Sequence, residues 1–259
     1  MRTSLTGKVY IVTGGSRGFG LAIAQALVAN GAKVGLVSRS QSSLDQAVLD
    51  ISAEHALGVA ADVGSRADIS HAFNTIKAHF GRLDGLVNNA GLAMPNAIEK
   101  LVEEEVLLQV QTNFLGTVFC SQAAIPLLRG GDNPRIINIS SASAWHYDEM
   151  SHLSIYAATK AAVERFSRDL RVELQSDNIG VTCIRPGGAW TSFSDGWNPA
   201  ALQAGIDAWK DIGSYMDVGM DVSHVADAVS YALTQPPGVA VDLLEIRPNK
   251  LQSKQELFC

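Results

Sequence analysis

Tyr156 and Lys160 stand four residues apart in the run Ser154-Ile155-Tyr156-Ala157-Ala158-Thr159-Lys160. On a helix that spacing stacks the two side chains on one face, one turn apart. A free phenol titrates near pH ~10 and is a poor acid-base group at neutral pH. A neighbouring ammonium favours the phenolate and lowers that value. Upstream, the short apolar run Ile136 to Ile139 ends in Ser140 and Ser141. A hydroxyl delivered from the end of a strand would hold a carbonyl oxygen beside the phenol, which is the geometry a proton-transfer site requires. The bare Tyr-x-x-x-Lys pair also occurs as a half-buried aromatic under a snorkelling lysine, so its meaning depends on the elements that position it.

Those elements alternate strand and helix along the chain. A β-branched run over 9–13 is followed at once by Gly14, Gly15, Gly18 and Gly20, and then by an alanine-rich helical pattern over 21–28. Strand, glycine turn and helix in that order let backbone N–H groups and a helix N-terminus approach a pyrophosphate. The spacing TGGSRGFG differs from the commoner G-x-G-x-x-G fingerprint. A second strand over 33–38 ends in Ser38-Arg39-Ser40, with no acid to hold a ribose 2′-hydroxyl. Arg39, with Arg17 inside the glycine turn, would instead pair with a 2′-phosphate, which favours NADP(H) over NAD(H). The plain alternative for both arginines is a solvated loop.

The pattern repeats with a helix over 41–54, a strand over 56–61 ending in Asp62-Val63, a helix over 65–80, and a strand over 83–87 ending in Asn88-Asn89-Ala90-Gly91. Asp62 is placed to accept from an adenine amino group or to cap the next helix. The asparagine turn can tie strand ends together. A long helix is expected over 102–128, with Asn113, a mediocre helix former, in its middle. Strands over 135–139 and 181–185 flank the helix that Tyr156 and Lys160 open and that ends near Gln175. The run Pro186-Gly187-Gly188-Ala189-Trp190-Thr191 follows, then a helix over 222–234 and a last strand over 239–246. The expected fold is α/β: one Rossmann-type, doubly wound parallel sheet of about seven strands in a single domain, helices on both faces. Ligands in such folds bind at the carboxyl ends of strands, where the glycine turn, Arg39, Asp62, Asn88, Ser141 and Thr191 all fall.

Composition narrows the function. The 259 residues are 47% hydrophobic and 18% charged, enough for a sizeable core around a buried sheet. The net charge of -6, with no basic cluster, argues against nucleic acid. Cys120, Cys183 and Cys259 are odd in number and dispersed, which fits neither disulfides nor a metal site and suits a reducing cytoplasm. The opening MRTSLTGKVYIVTGG moves straight into a strand with no signal-peptide core, and no apolar run reaches membrane-spanning length.

The motifs TGGSRGFG at 13–20, NNAG at 88–91, Asn113, Ile-Ser-Ser at 139–141, YAATK at 156–160 and PGGAWT at 186–191 together closely resemble the short-chain dehydrogenase/reductase (SDR) family, in the family's order over almost the whole chain. The resemblance implies an oxidoreductase acting on CH–OH groups, in which Tyr156 is the general acid/base and Ser141 orients and polarises the carbonyl. Lys160 would bind the nicotinamide ribose and depress the Tyr156 pKa, and Asn113 would hold a water of a proton relay. For the cofactor it implies Gly14, Gly18 and Gly20 at the diphosphate, Asp62 and Val63 at the adenine, Asn89 at the ribose and Thr191 at the carboxamide, with Ser16, Phe19, Ala90, Gly91, Pro186 and Gly187 completing the site. The family's usual serine-to-tyrosine spacing points to Ser143 instead, so choosing Ser141 assumes a small insertion around 145–148. The tail Glu245-Ile246-Arg247-Pro248 lacks the Asp-Gly-Gly with which many members close. A homodimer or homotetramer is implied as well.

All four tryptophans, Trp145, Trp190, Trp197 and Trp209, follow the fifth and sixth strands and, with Phe193, Tyr147, Tyr215 and Met216, suggest an aromatic substrate wall and a lid at about 190–218. The alternative is that they pack the lid onto the body. His146 is a further candidate contact. From Pro186 to Val218 the one basic side chain is Lys210, against Asp195, Asp207, Asp211 and Asp217, so an uncharged, bulky or aromatic ketone, aldehyde or alcohol is favoured over a small anion. A 3-oxoacyl-thioester reductase would need a basic docking surface, for which Arg129, Arg165, Arg168 and Arg171 are thin candidates. A sugar-nucleotide epimerase would need a longer chain. A catalytically silent NADP(H) sensor would have no need of Ser141, Tyr156, Lys160 and Asn113 together.

Overall fold

The computed structural model of the chain describes residues 2–146, 151–189, 191–217 and 219–257. Among them are the strands β1 (Val9–Thr13), β2 (Lys33–Ser38), β3 (Ala56–Ala60), β4 (Gly85–Asn88), β5 (Arg135–Ile139), β6 (Gly180–Pro186) and β8 (Leu243–Ile246), which form one parallel sheet in the order β3-β2-β1-β4-β5-β6-β8. The order reverses between β1 and β4, which opens a crevice at their carboxyl ends. The last strand of this sheet begins at Leu243 rather than at the expected 239, because 236–239 form a turn, with Gly238 at a φ of 78° and Val239 N–H donating to the Pro236 carbonyl.

Side chains alternate across the central strands as the pleat requires. Tyr10 and Val12 enter a core built with α1 (Gly18–Ala29), α2 (Gln41–Ile51) and α8 (Val222–Leu233). Val9 and Ile11 enter the opposite core with α3 (Arg66–Phe80), α5 (Gly116–Leu128) and α6 (Ser154–Glu173). Strands buried on both faces read as unbroken apolar runs, which is why VYIVT and RIINI were legible.

The long helix expected over 102–128 is instead α4 (Glu103–Val110), a π-helical turn over Gln111–Leu115, and α5. Such turns inside helices recur at functional sites, and Asn113 lies in this one. The segment after β6, expected only as a lid, contains α7 (Pro199–Asp211) and a short strand, β7 (Tyr215–Asp217). Asn198 caps α7 by accepting from Ala200 and Ala201 N–H groups, and Pro199 follows at the first helical position. β7 pairs antiparallel with β9 (Leu251–Ser253), beyond which α9 (Lys254–Leu257) follows. No described helix is long and apolar enough to cross a membrane.

Candidate functional site

A cavity of about 830 Å³ lies at the carboxyl ends of the strands and extends from β2 to β7, within the ~300–1,000 Å³ usual for small-molecule sites. At one end is the glycine turn. Gly14 and Gly18 adopt φ of 64° and 55°, a region a side chain rarely enters. The cap residue of α1, Arg17, makes no side-chain capping bond, and the first turn holds no acid. The leading N–H groups of α1 thus lack a protein acceptor from that cap, which suits a bound diphosphate. Ser16, Arg17, Gly18 and Phe19 line the cavity here. Gly20 does not; a methyl there would run into the Gly14 carbonyl and stand 2.7 Å from Asn89 Nδ2. Its glycine is needed for packing of helix on turn.

Asn89 holds this turn in place. Its Nδ2 donates to the carbonyls of Thr13 (2.9 Å) and Gly14 (3.3 Å), while its own N–H and that of Ala90 donate to Thr13 Oγ1. Asn89, Ala90 and Gly91 line the cavity. Asn88 is buried and spends its amide on Ser121 and Asn138, so it ties strands together and does not face the site. At the other side of the turn, Ser38, Arg39, Ser40 and Ser43 form the wall with Asp62 and Val63. Arg39 and Arg17 are exposed, and Arg17 approaches Asp195 at 3.9 Å. Asp62 Oδ1 accepts from Gly64 N–H, and the capping role weighed for it belongs to Ser65.

The acid-base candidates converge midway. Tyr156 sits in the first turn of α6, and burial pushes its phenol up, opposed by a hydrogen bond with Ser141. Lys160, one turn on, donates from Nζ to the Ile139 carbonyl (2.9 Å), and its Nζ lies 5.8 Å from the Tyr156 ring centre. Burial lowers its pKa to about 8. The phenol is thus raised by burial rather than depressed, and it is the lysine whose pKa burial lowers. Ser141 Oγ accepts from Ser143 N–H (3.2 Å) and lies 3.0 Å from Ser143 Oγ, so the two weighed serines are neighbours, with Ser141 the one on the phenol. Ser140 is buried and bonded to Lys160 O and Glu164.

Asn113 is fully buried and does not face the cavity. Its Oδ1 accepts from Leu92 N–H (2.9 Å), and its Nδ2 donates to Leu92 O (2.9 Å) and Thr159 Oγ1 (3.0 Å). The amide joins the loop after β4 to the helical turn between Tyr156 and Lys160.

Beyond the tyrosine, the aromatic wall is partly as expected. Phe193 tilts over Tyr156 at 5.5 Å between ring centres, and Trp197 meets Phe193 edge-on at 5.9 Å. Both line the cavity, as do Pro186, Gly187, Thr191, Met216 and His146. His146 Nε2 lies 2.7 Å from Glu245 Oε1. Trp145 is a correction: it is 67% exposed, rests on the Arg185 guanidinium and does not line the cavity. Trp209 is buried against Leu153, Tyr156 and Ala93 and donates to Ser151 O, the packing role weighed for the tryptophans. Tyr215 is exposed; Trp190 and Tyr147 lie outside the described residues. Sequence reasoning missed His152, Ser151 and Ser154 in the cavity wall, and of the acids it noted in the substrate segment only Asp217 lines the cavity. A φ of 60° at His152, unusual for a residue other than glycine, has no signature in the sequence.

The short chain dehydrogenase family model matches residues 8–201. An uncharacterised oxidoreductase of Staphylococcus aureus (strain N315) is 32% identical over 246 residues, covering 95% of this chain and 99% of that protein. The closed form of a serine dehydrogenase complexed with NADP+ superimposes with a TM-score of 0.79 at 29% identity, over 93% of this chain and 94% of its own. A 3-ketoacyl-(acyl-carrier-protein) reductase from Brucella melitensis complexed with NADH gives 0.80 at 28% identity, over 95% and 99%. Fold, glycine turn and sequence agree that the chain is an oxidoreductase that belongs to the short-chain dehydrogenase family.

Proposed function

We propose that the protein interconverts a carbonyl and an alcohol with NADP(H), with Tyr156 as general acid/base. The observation that carries this reading is the arrival of Ser141, Tyr156 and Lys160 in the same cavity as the uncapped glycine turn. A nicotinamide dinucleotide bound there supplies or accepts the hydride. Ser141 donates to the substrate oxygen and holds it beside the phenol, and Tyr156 gives or takes the proton on that oxygen. Lys160, buried and shifted toward neutrality, binds ribose hydroxyls and steadies the phenolate once a proton has left. Lys160 Nζ and Asn113 Oδ1 both approach Gly91, which supports a proton relay between them. The glycine turn takes the diphosphate. Arg39 and Arg17, with the serines that open α2 and no acid among them, support NADP(H) over NAD(H).

The segment 190–218 serves as a lid, with Phe193 and Trp197 over the reacting centre, which supports an uncharged substrate with a bulky or aromatic portion. The thioester alternative takes support from the likeness to an acyl-carrier-protein reductase. It is weakened because three of the four candidate docking arginines, Arg129, Arg165 and Arg171, are each paired with an aspartate, leaving the exposed Arg168 as the one among them without an ion pair to the described residues. The test follows loss of the reduced-cofactor absorbance with NADPH or NADH and a panel of aromatic, aliphatic and thioester carbonyls. NADPH-dependent turnover that Tyr156→Phe abolishes supports the reading; tight NADPH binding with no turnover on any carbonyl would favour a sensor.

A further inference from the structure

Behind Ser141, Tyr156 and Lys160 runs a chain of buried polar contacts that the acid-base chemistry does not use. The Ser140 hydroxyl donates to the Lys160 carbonyl (3.2 Å) and to Glu164 Oε1 (2.9 Å). Lys160 Nζ in turn donates to Ile139 O. The end of β5 and the first turns of α6 are therefore clasped in both directions. Arg185, on β6, grips Glu164 as a fork, Nε to Oε1 at 2.7 Å and the second terminal nitrogen to Oε2 at 2.6 Å. Its remaining nitrogen reaches Glu245 Oε2 at 2.8 Å. Glu245 Oε1 meets His146 in the cavity wall.

Ser140, Glu164 and Arg185 are all buried. A buried ion pair is weak evidence for stability, because desolvation offsets much of the attraction. A planar fork, however, fixes direction as well as distance, and this one is fastened one turn beyond Lys160 and one residue before Ser141.

We propose that Glu164 and Arg185 are positioning residues for the reaction. Through Ser140 they set the separation of the Ser141 hydroxyl and the Tyr156 phenol, and through Glu245 and His146 they tie that alignment to the substrate wall. The proposal rests on the acid-base reading of Ser141 and Tyr156 given above. Small displacements of a reacting group are costly to rate, so loss of the clasp would appear in turnover before it appeared in binding.

Removing Glu164 strips the buried Arg185 guanidinium of its fork and leaves it only the half-exposed Glu245, so the test cuts the clasp at Ser140→Ala and the link to the wall at Glu245→Gln. For Ser140→Ala, kcat is expected to fall about tenfold to a hundredfold, with carbonyl KM and NADPH Kd within about twofold of wild type. For Glu245→Gln, carbonyl KM rises severalfold at nearly constant kcat. The proposal is overturned if Ser140→Ala retains kcat, if Glu245→Gln leaves KM unmoved, or if kcat, KM, Kd and melting temperature deteriorate together, the mark of general loosening. Wild-type protein without Tyr156-dependent turnover would remove the functional reading instead. Amide hydrogen exchange then decides the proposal: faster exchange in Ser140→Ala confined to residues 139–144 and the start of α6 upholds the clasp, and unchanged exchange there overturns it.

Discussion

Lys160 supplies a prediction whose sign and size follow from burial. Desolvation holds its pKa at about 8, against an ordinary 10.5. A base with a lowered folded-state pKa binds its proton less well folded than unfolded, so between about pH 8 and 10.5 the unfolded chain carries more protons and stability rises with pH. Below pH 8 both states are protonated and the cost of burying the ammonium is complete, roughly 3 kcal/mol for a shift of this size. About 2 kcal/mol of that is recovered between pH 7 and pH 9.5. Cys183, the other titratable group that bears on Lys160, has its own thiol pushed up to about 12 by burial, so it stays protonated and uncharged across the window. Urea unfolding of wild type and Lys160→Met at both pH values isolates the effect. Losing the bond to Ile139 O costs the methionine variant equally at each pH and drops out of the comparison. The stability of the variant relative to wild type should fall by about 2 kcal/mol on going from pH 7 to pH 9.5. A pH-independent difference, or one that changes in the opposite direction, would refute a buried lysine with a lowered pKa.

Four further substitutions probe three separate parts of the site. Gly20→Ala places a methyl on the Gly14 carbonyl and near Asn89 Nδ2, backbone and side chain that are already bonded; thermal unfolding should show a loss of about 1–3 kcal/mol, and nucleotide titration a weakened Kd. Arg39→Asp should weaken NADPH by roughly tenfold to a hundredfold, the range for a hydrogen bond to a charged group, and leave NADH binding intact or improved; equal effects on both nucleotides would remove Arg39 from the 2′-phosphate. Ser141→Ala should lower kcat by ~10²–10³, whereas Ser143→Ala, which removes a hydroxyl beside Ser141, should cost much less; the reverse order would make Ser143 the carbonyl-binding serine.

The sheet was legible in the sequence because its strands are buried on both faces and each ends in a conspicuous turn, as with Val9–Thr13 before Gly14 and Arg135–Ile139 before Ser140. Tyr156 and Lys160 were legible from spacing, since a helical turn leaves little freedom in where they point. Asn113 was noticed as a poor helix former, but the π-helical turn around it and its bonds to Leu92 and Thr159 depend on partners distant in sequence. The same holds for Ser140, which reads as a twin of Ser141 until Glu164 and Lys160 are brought against it. In the lid, α7 went unread, although Asn198 caps it and Pro199 opens it. The β7–β9 pairing was hidden, because three-residue strands carry no period of their own. Trp145 and Trp209 were read together by type, yet the exposed Trp145 lies over the buried Arg185 guanidinium and Trp209 is buried against Leu153 and Tyr156; residue identity does not say which way a loop turns.

The central claim is that hydride moves directly between nicotinamide and a substrate carbon while Tyr156 handles the proton. The most direct measurement is a reaction with NADPH deuterated at the transferable C4 position, analysed by mass spectrometry of the product alcohol, for wild type and Tyr156→Phe. The account predicts one deuterium on the former carbonyl carbon with wild type, and no product from a variant that still binds NADPH. Product without the label, or labelled product formed equally well by Tyr156→Phe, would contradict it.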